Sequence, residues 1–462
     1  MYITNYRIVF NWQLATFTKI DNIFNTKYSL VHFSEIISKT AVQKENISNE
    51  KSYKIVGVKS YGKGAYLNRT VKGNTLTMKQ YQVCSIDYLI WCKVDTKNGA
   101  FGIITKEFEG CYASSNMSLA KIDTAKIDLE YFQLIFKYPV FNKYMDRLAV
   151  GSTNRKYLSF EQILNQIKIS LPPLNIQEKL VKSYQHKLAK AIEAERKAKE
   201  LEEGIETYLL RELGIEKAKK IDINKKLTIV NSKKITEWSV DNILFKEVLK
   251  STKYAFSPLK KDNYIVDVFR GKSPKYEDGG TAIILNQKCN RWNEIKLEFA
   301  KKVNEPWLSN INPKNKTKEN DILINSTGDG TIGRSSLVTN QFENLIYDSH
   351  ILLLRLNQAL VNPSFMVYLF NSVFIQEQIN KLKSAQSTKQ TELGLENLFK
   401  IKFIIPPRTY TANGKIDEIK DIQTQIVNHI TAQNEAIKRL KNEAETLRNA
   451  AKQEFEKEIF GH

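Results

Sequence analysis

The sequence predicts an α/β (α+β) protein built as a tandem repeat. Two globular parts are each followed by one long helix. The two helices are expected to pair as an antiparallel coiled coil, related by a pseudo-two-fold axis. Three observations predict this. Residues recur at constant offsets across the chain. The junction LPPLNIQEKLV at 171–181 is echoed by IPPRTYTANGKIDEIKDIQTQIV at 405–427. Each junction opens a long charged stretch that carries one narrow apolar stripe.

The repeat comes first. Trp12 and Thr26-Lys27-Tyr28 match Trp238 and Thr252-Lys253-Tyr254 at an offset of 226. From Asp87 the offset is 234, pairing Asp87 with Asp321, Asp95 with Asp329 and Gly99 with Gly333. The same offset pairs Ser115 with Ser349, Phe136 with Phe370, Leu148 with Leu382, and Pro172-Pro173 with Pro406-Pro407. From Asn175 it is 246, pairing Asn175 with Asp421 and Leu201 with Leu447. The second copy therefore carries 8 extra residues (234 − 226) early and 12 (246 − 234) after its Pro-Pro, where loops tolerate insertion. The expected divisions are 1–160 and 218–400 for the globular parts. Residues 161–217 and 401–462 each supply a strand, a Pro-Pro junction and a helix.

In the first helix the apolar stripe runs through Val181, Tyr184, Leu188, Ala191, Ala198, Leu201, Ile205 and Leu209. In the second, Ile426, Ile430, Ile437, Leu440, Ala444, Leu447 and Ala451 alternate by three and four, with Gln433 as a polar exception. Helices of about 35–40 residues, or 55–60 Å, are expected to stop at Leu213-Gly214 and Phe460-Gly461. Such narrow stripes need a partner, and the other copy's helix is the economical one. Pro-Pro ends the apolar strands IKISL and IKFII, since proline cannot donate to a ladder.

Composition bounds the partners. Lys plus Arg total 70 against 50 acids, a formal charge of +20 in 462 residues. That balance points to a polyanion, although a Lys-rich composition alone also raises charge. No apolar run reaches membrane-spanning length, and MYITNYRIVFNWQ lacks the order of a signal peptide, so a cytoplasmic protein is expected. Cys84, Cys92, Cys111 and Cys289 form no C-x-x-C pair, which argues against a zinc site or a disulfide framework.

Residues 51–79 hold seven Lys/Arg and no acid, with tyrosines interleaved. Lys59, Lys63, Arg69 and Lys72 suit phosphates, and Tyr61 and Asn68 suit base edges. Two small, polar, basic loops have the same character. One, at 149–159, offers Asn154, Arg155 and Lys156. The other, at 383–393, offers Ser387, Lys389 and Gln390. In the second copy Gln287, Lys288, Asn290 and Arg291 are further candidates. So are Thr327 and Arg334 of the Gly-rich stretch NSTGDGTIGRSS. That stretch lacks a phosphate loop's G-x-x-x-x-G-K-[ST] and precedes another strand, so it is expected to be a turn.

Enzyme readings find little support. Asn362-Pro363-Ser364-Phe365 is close to a methyltransferase Asn-Pro-Pro-Phe, but Ser replaces the second Pro and no S-adenosylmethionine loop lies upstream. Asn362 is instead expected to cap a helix. Asp278 with Glu294-Ile295-Lys296 imitates a nuclease site that has no counterpart in the first copy.

With its tandem parts, its repeated P-P-x-x-x-Q-like helix starts and DILINSTGDGTIGRSSLV, the chain resembles the specificity subunit of type I restriction-modification enzymes over nearly its whole length. The resemblance implies a non-catalytic subunit whose two target-recognition domains each read half of a split site in double-stranded DNA. The paired helices would act as spacer and as dock for two adenine-methyltransferase subunits. It implies no cofactor on this chain. S-adenosylmethionine would bind the methyltransferase, and ATP and Mg²⁺ the two restriction (motor-nuclease) subunits that the resemblance also allows. The other readings are a coiled-coil scaffold and a nucleic-acid adaptor without sequence readout. Two departures from the family pattern are expected to alter local geometry. They are the 12 residues inserted before Gln423, and WCKVDTKNG in place of the Gly-rich turn, which leaves Asp95 without an assigned role.

Overall fold

The computed structural model describes residues 23–148, 158–216, 250–260, 263–328, 330–384 and 392–461. It divides into two compact units, residues 1–195 with 441–462, and residues 196–440.

In chain order the first unit holds β1 (Leu30–His32), α1 (Phe33–Ile36), β2 (Ile37–Ser38), β3 (Lys44–Asn46), β4 (Ser52–Lys59), β5 (Gly64–Lys72), β6 (Gln80–Val83) and β7 (Tyr88–Cys92). There follow β8 (Phe101–Ile103), β9 (Tyr112–Ala113), β10 (Met117–Ile122), α2 (Leu129–Phe136), α3 (Pro139–Leu148), α4 (Phe160–Gln166), β11 (Lys168–Ser170) and the start of α5 (Leu174–Glu212). Sheets run β2-β10-β7-β8 and β3-β6-β9-β4-β5, and β1 pairs with β11. Helix α2 starts where Asp128 accepts the Tyr131 N–H at 2.8 Å, a side-chain N-cap. Its apolar face, with Phe132 and Phe136, packs with Phe33, Trp91, Phe101 and Phe141 in one aromatic core. The Phe101 and Phe136 rings stack at 4.8 Å.

The second unit holds β12 (Ile215–Glu216), β13 (Lys250–Ser251), β14 (Phe256–Pro258), β15 (Ile265–Arg270), β16 (Ala282–Leu285), β17 (Lys301–Val303), α6 (Glu305–Ser309) and β18 (Ile322–Asn325). It continues with β19 (Ser335–Leu337), β20 (Ile346–Tyr347), β21 (Ile351–Leu356), α7 (Pro363–Asn371), α8 (Val373–Ser384), α9 (Leu395–Lys400), β22 (Lys402–Ile404) and the start of α10 (Ile422–Ile459). Its main sheet runs β15-β21-β18-β19, and β17-β16-β20 forms a smaller one. From β7 to β11 the 234-residue offset holds element by element. It carries α2 onto α7, α3 onto α8, β11 onto β22 and the β7–β8 hairpin onto β18–β19. As the sequence predicts, NSTGDGTIGRSS lies at the turn of a hairpin, with Ile324 paired to Ser335. Asn362 caps α7 by accepting from Ser364 and Phe365 N–H groups.

The helices α5 and α10 contain 39 and 38 residues, each about 58 Å long at 1.5 Å per residue. In the first unit they run antiparallel. Lys187 pairs with Glu454, and Glu195 with Arg448 at 2.6 Å. The seam buries Val181, Ala191 and Ala194 of α5, and Ala444, Ala451 and Phe455 of α10. In the second unit Tyr208 stacks on His429 at 3.7 Å, and Leu209, Leu210 and Leu213 join Ile426 and Ile430 in the core.

The repeated Thr-Lys-Tyr closes the helix ends. In the first unit Lys27 pairs with Glu458 at 2.5 Å, and the Asn25 N–H donates to the Ile459 carbonyl at 2.8 Å. In the second, Lys253 pairs with Glu212 at 3.8 Å, and the Thr252 N–H donates to the Gly214 carbonyl at 2.9 Å. Gly214 and Gly461 are both left-handed, φ 63° and 72°, as helix-ending glycines are.

The repeated glutamine explains the junction. Gln177 Nε2 donates to the Pro172 and Lys126 carbonyls at 2.7 and 3.1 Å, and its Oε1 accepts the Asp128 N–H at 2.8 Å. Gln423 donates to the Pro406 and Leu360 carbonyls at 2.6 and 3.0 Å and accepts the Asn362 N–H at 2.7 Å. Both side chains are fully buried. The insertion leaves the clamp unchanged, and its effect on local geometry is confined to the loop between Pro407 and Asp421. It closes on itself through a Tyr410–Ile416 bridge. It is tied down where Asp421 accepts the Thr409 and Thr424 N–H groups and meets Arg408 at 3.2 Å.

Candidate nucleic-acid interface

In the first unit the acid-free stretch forms the β4–β5 ribbon. Strand β5 is the sheet's edge, and its residues Leu67 to Thr70 are all exposed. Ile55 pairs with Arg69 but Val56 with Leu67, so Asn68 is the extra residue of a β-bulge. A bulge strengthens local twist and re-aims the side chains beside it. Lys59, Lys63, Asn68, Arg69 and Lys72 are all exposed along the ribbon. Lys59 lies over the Tyr66 ring at 5.0 Å. A two-stranded ribbon is narrow enough to enter the DNA major groove.

The turn that joins the strands is held rigidly. It bends through Tyr61 and Gly62, both left-handed at φ 60° and 63°. A Cβ at Gly62 would lie 2.2 Å from the Phe136 backbone, so only glycine fits. Tyr61 and Gly62 N–H groups donate to the Asn98 and Gly99 carbonyls at 2.7 and 3.0 Å. Asp95 accepts from Ser60 Oγ and Asn98 Nδ2, both at 2.5 Å, which gives this residue its role as an anchor of the turn. Beside the exposed Tyr61 is a cavity of 630 Å³ lined also by Asn98, Lys137, Lys143 and Arg147. The same face thus offers cations, amides and an aromatic ring.

In the second unit the candidates gather around the β18–β19 turn. The Arg334 Nη2 donates to the Gly330 carbonyl at 3.1 Å, and its guanidinium lies over Trp292 at 5.5 Å. Arg291 lies over Phe299 at 4.6 Å. Burial, then the nearby Arg291 charge, holds the Arg334 guanidinium below its usual range. Thr327 Oγ1 contacts His350 Nδ1 at 2.6 Å. Lys288 is exposed and Gln287 half-buried.

Asn290 does not join them. It is 1% exposed. Its amide donates to the Leu323 and Arg334 carbonyls and to Asn325 Oδ1 at 3.0–3.1 Å, and its oxygen accepts from Ser336 at 2.5 Å. Every polar atom is committed to joining the 290–295 turn to the hairpin, so Asn290 builds the surface rather than presenting a contact. Sequence inspection overlooked Trp292, 44% exposed. One tryptophan in an irregular loop has no periodicity that shows which way it faces. Asn154, Arg155, Lys156, Ser387, Lys389 and Gln390 lie outside the described residues.

Residues 25–203 match the family described as "Type I restriction modification DNA specificity domain". No curated protein matches the chain. Among solved structures it is similar to the HsdS subunit from Thermoanaerobacter tengcongensis. The two share 12% identity at a TM-score of 0.50, over 94% of this chain and 97% of that one. It is also similar to a chain from a structure titled as the basis of complex assembly and conformational transition of the type I R-M system. That match has 12% identity and a TM-score of 0.53, over 94% and 96%. At such identity these structures establish the fold, and the family match applies to residues 25–203. Residues 25–203 thus match a type I restriction-modification DNA specificity domain, and the chain as a whole has the fold of the specificity subunits it is similar to.

Proposed function

We propose that the globular parts at 1–160 and 218–400 each read one half of a bipartite double-stranded DNA site, and that α5 and α10 set the gap between the halves. The constant offset carries this reading. Within the region that the DNA specificity family matches at residues 25–203, every element from β7 to β11 recurs 234 residues later. Two independent contact sets on rigid elements convert protein spacing into half-site spacing, as half-site geometry does in other DNA-binding dimers.

The same proposal makes the chain non-catalytic and cytoplasmic. Two adenine-methyltransferase subunits dock on the helices and carry S-adenosylmethionine. Where restriction subunits join, they carry ATP and Mg²⁺. Exposed charged faces along both helices support the docking role.

The test is an exchange of residues 1–160 for the equivalent part of a relative, with modified sites then mapped in the complex. One half of the recognised sequence should change and the other should stay. A change in both halves would argue for one composite site. Methyl transfer by the isolated chain would overturn its non-catalytic assignment.

A further inference from the structure

Arg291 and Arg334 stand on neighbouring backbone in the second unit. The Asn293 N–H donates to the Ser335 carbonyl at 3.0 Å, and Asn290 Nδ2 to the Arg334 carbonyl at 3.0 Å. Asn371 Nδ2 bridges Asn293 Oδ1 and the Ser335 carbonyl at 2.7 and 2.8 Å. The 290–295 turn is thereby locked to the start of β19. Both guanidinia lie against aromatic rings, Arg291 on Phe299 and Arg334 on Trp292. Among the described residues neither has a carboxylate partner. The nearby Glu294 faces Lys296 at 3.7 Å instead.

Two fixed cations held together without an acid repel each other, and an anion between them relieves the repulsion. The geometry also decides which anion. Reading a guanine edge needs a free two-donor fork. Arg334 has lost its side-on fork, the one made by Nε and Nη2. Its Nη2 is committed to Gly330, and its Nε is buried without a partner. Phosphate oxygens demand less, because the N–H groups left at the Nη1 end and a positive charge suffice.

We propose that Arg291 and Arg334 together grip one backbone phosphate of duplex DNA, with Trp292 as the platform that holds Arg334 in place. This rests on the DNA-reading function proposed above and deepens it. The site belongs to the second copy alone, since Ala100 stands at the position 234 residues before Arg334. The two halves of the chain therefore hold the DNA backbone differently. The first uses exposed lysines on a ribbon, and the second a pre-set arginine pair.

The experiment is fluorescence anisotropy of the full chain with two labelled duplexes of unrelated sequence, over a salt series. Arg291→Ala and Arg334→Ala should each weaken both duplexes alike, by about tenfold, and lower the salt slope by about 0.9, the value of one phosphate contact. The double variant should lower the slope no further, because only one phosphate is held. Arg334→Lys should keep part of the affinity, and a melting midpoint like that of the unsubstituted chain shows that the fold is intact. Unchanged affinity and slope in both single variants would overturn the site while leaving the DNA reading in place. Loss confined to one duplex would overturn it in favour of base readout. Absence of any duplex binding by the unsubstituted chain would overturn the DNA reading and the site with it.

Discussion

Arg355 grips Asp321 through two parallel hydrogen bonds, Nε to Oδ1 at 2.8 Å and Nη2 to Oδ2 at 2.7 Å. Asp321 is 1% exposed. It also accepts the Lys318 N–H at 2.7 Å, which turns the chain into β18. Removing Asp321 leaves the mostly buried Arg355 only the more exposed Asp267, at 3.6 Å. Asp321→Ala should therefore destabilise the second unit by roughly 3–5 kcal/mol in urea unfolding. Adding Arg355→Met should recover part of that loss. Strictly additive losses would show that the pair is not a coupled unit.

The β4–β5 ribbon should carry non-specific affinity. Lys59, Lys63 and Lys72 are exposed along it, and no acid lies in its sequence. Changing all three to Ala should weaken binding to every duplex and lower the salt slope by about two to three. Binding measured from low to high salt checks this. An unchanged slope would move the DNA surface away from the ribbon.

Gln177 and Gln423 each make three buried hydrogen bonds. Either Gln→Ala change strands one N–H and two carbonyls, at a cost of about 2–5 kcal/mol in unfolding experiments. Gln→Glu is the sharper comparison. A carboxylate can accept from Asp128 or Asn362 but cannot donate to the carbonyls, so it should cost at least as much as Ala. A tolerated Gln→Glu would show that accepting from the N–H is the whole of the interaction.

Glu458 supplies a pH-dependent closure of the first unit. The Lys27 hydrogen bond, ahead of the one from Tyr28, holds its carboxyl below the usual carboxylate range. A depressed folded value means stability that is present above the unfolded value and is lost as pH falls through the folded one. Glu458→Gln should therefore lower the melting midpoint at pH 7, by an amount equivalent to roughly 1 kcal/mol. The gap between the two proteins should close toward pH 3. An equal gap at both pH values would assign the effect to packing rather than charge.

The parts legible in the sequence were those with a period or a repeat. The stripes through Ile426 and Ile430 marked the helices because a narrow apolar seam has few other solutions. The offset from Asp87 to Pro173 placed strands and short helices in both copies. What escaped were residues whose meaning is set by partners distant in sequence. Asn290 looked like a contact residue because a polar side chain between Cys289 and Arg291 shows no sign of burial. Its partners lie 33 to 46 residues away. Trp292 gave no signal for the same reason. Asp95 became intelligible only through Ser60, 35 residues earlier. The glutamines were visible as a repeated letter, but their three bonds were not.

Every atom that Gln177 and Gln423 grip belongs to the main chain: the amide hydrogens of Asp128 and Asn362, and the carbonyls of Lys126, Leu360, Pro172 and Pro406. The joint is therefore indifferent to the side chains of the reader mounted on it. A lineage can drift, shuffle or replace the surface that meets DNA without renegotiating how that surface is fastened. Recognition is left free to diversify while the fastening stays constant, and the inserted loop before Gln423 shows that a change in length beside the joint is tolerated as well.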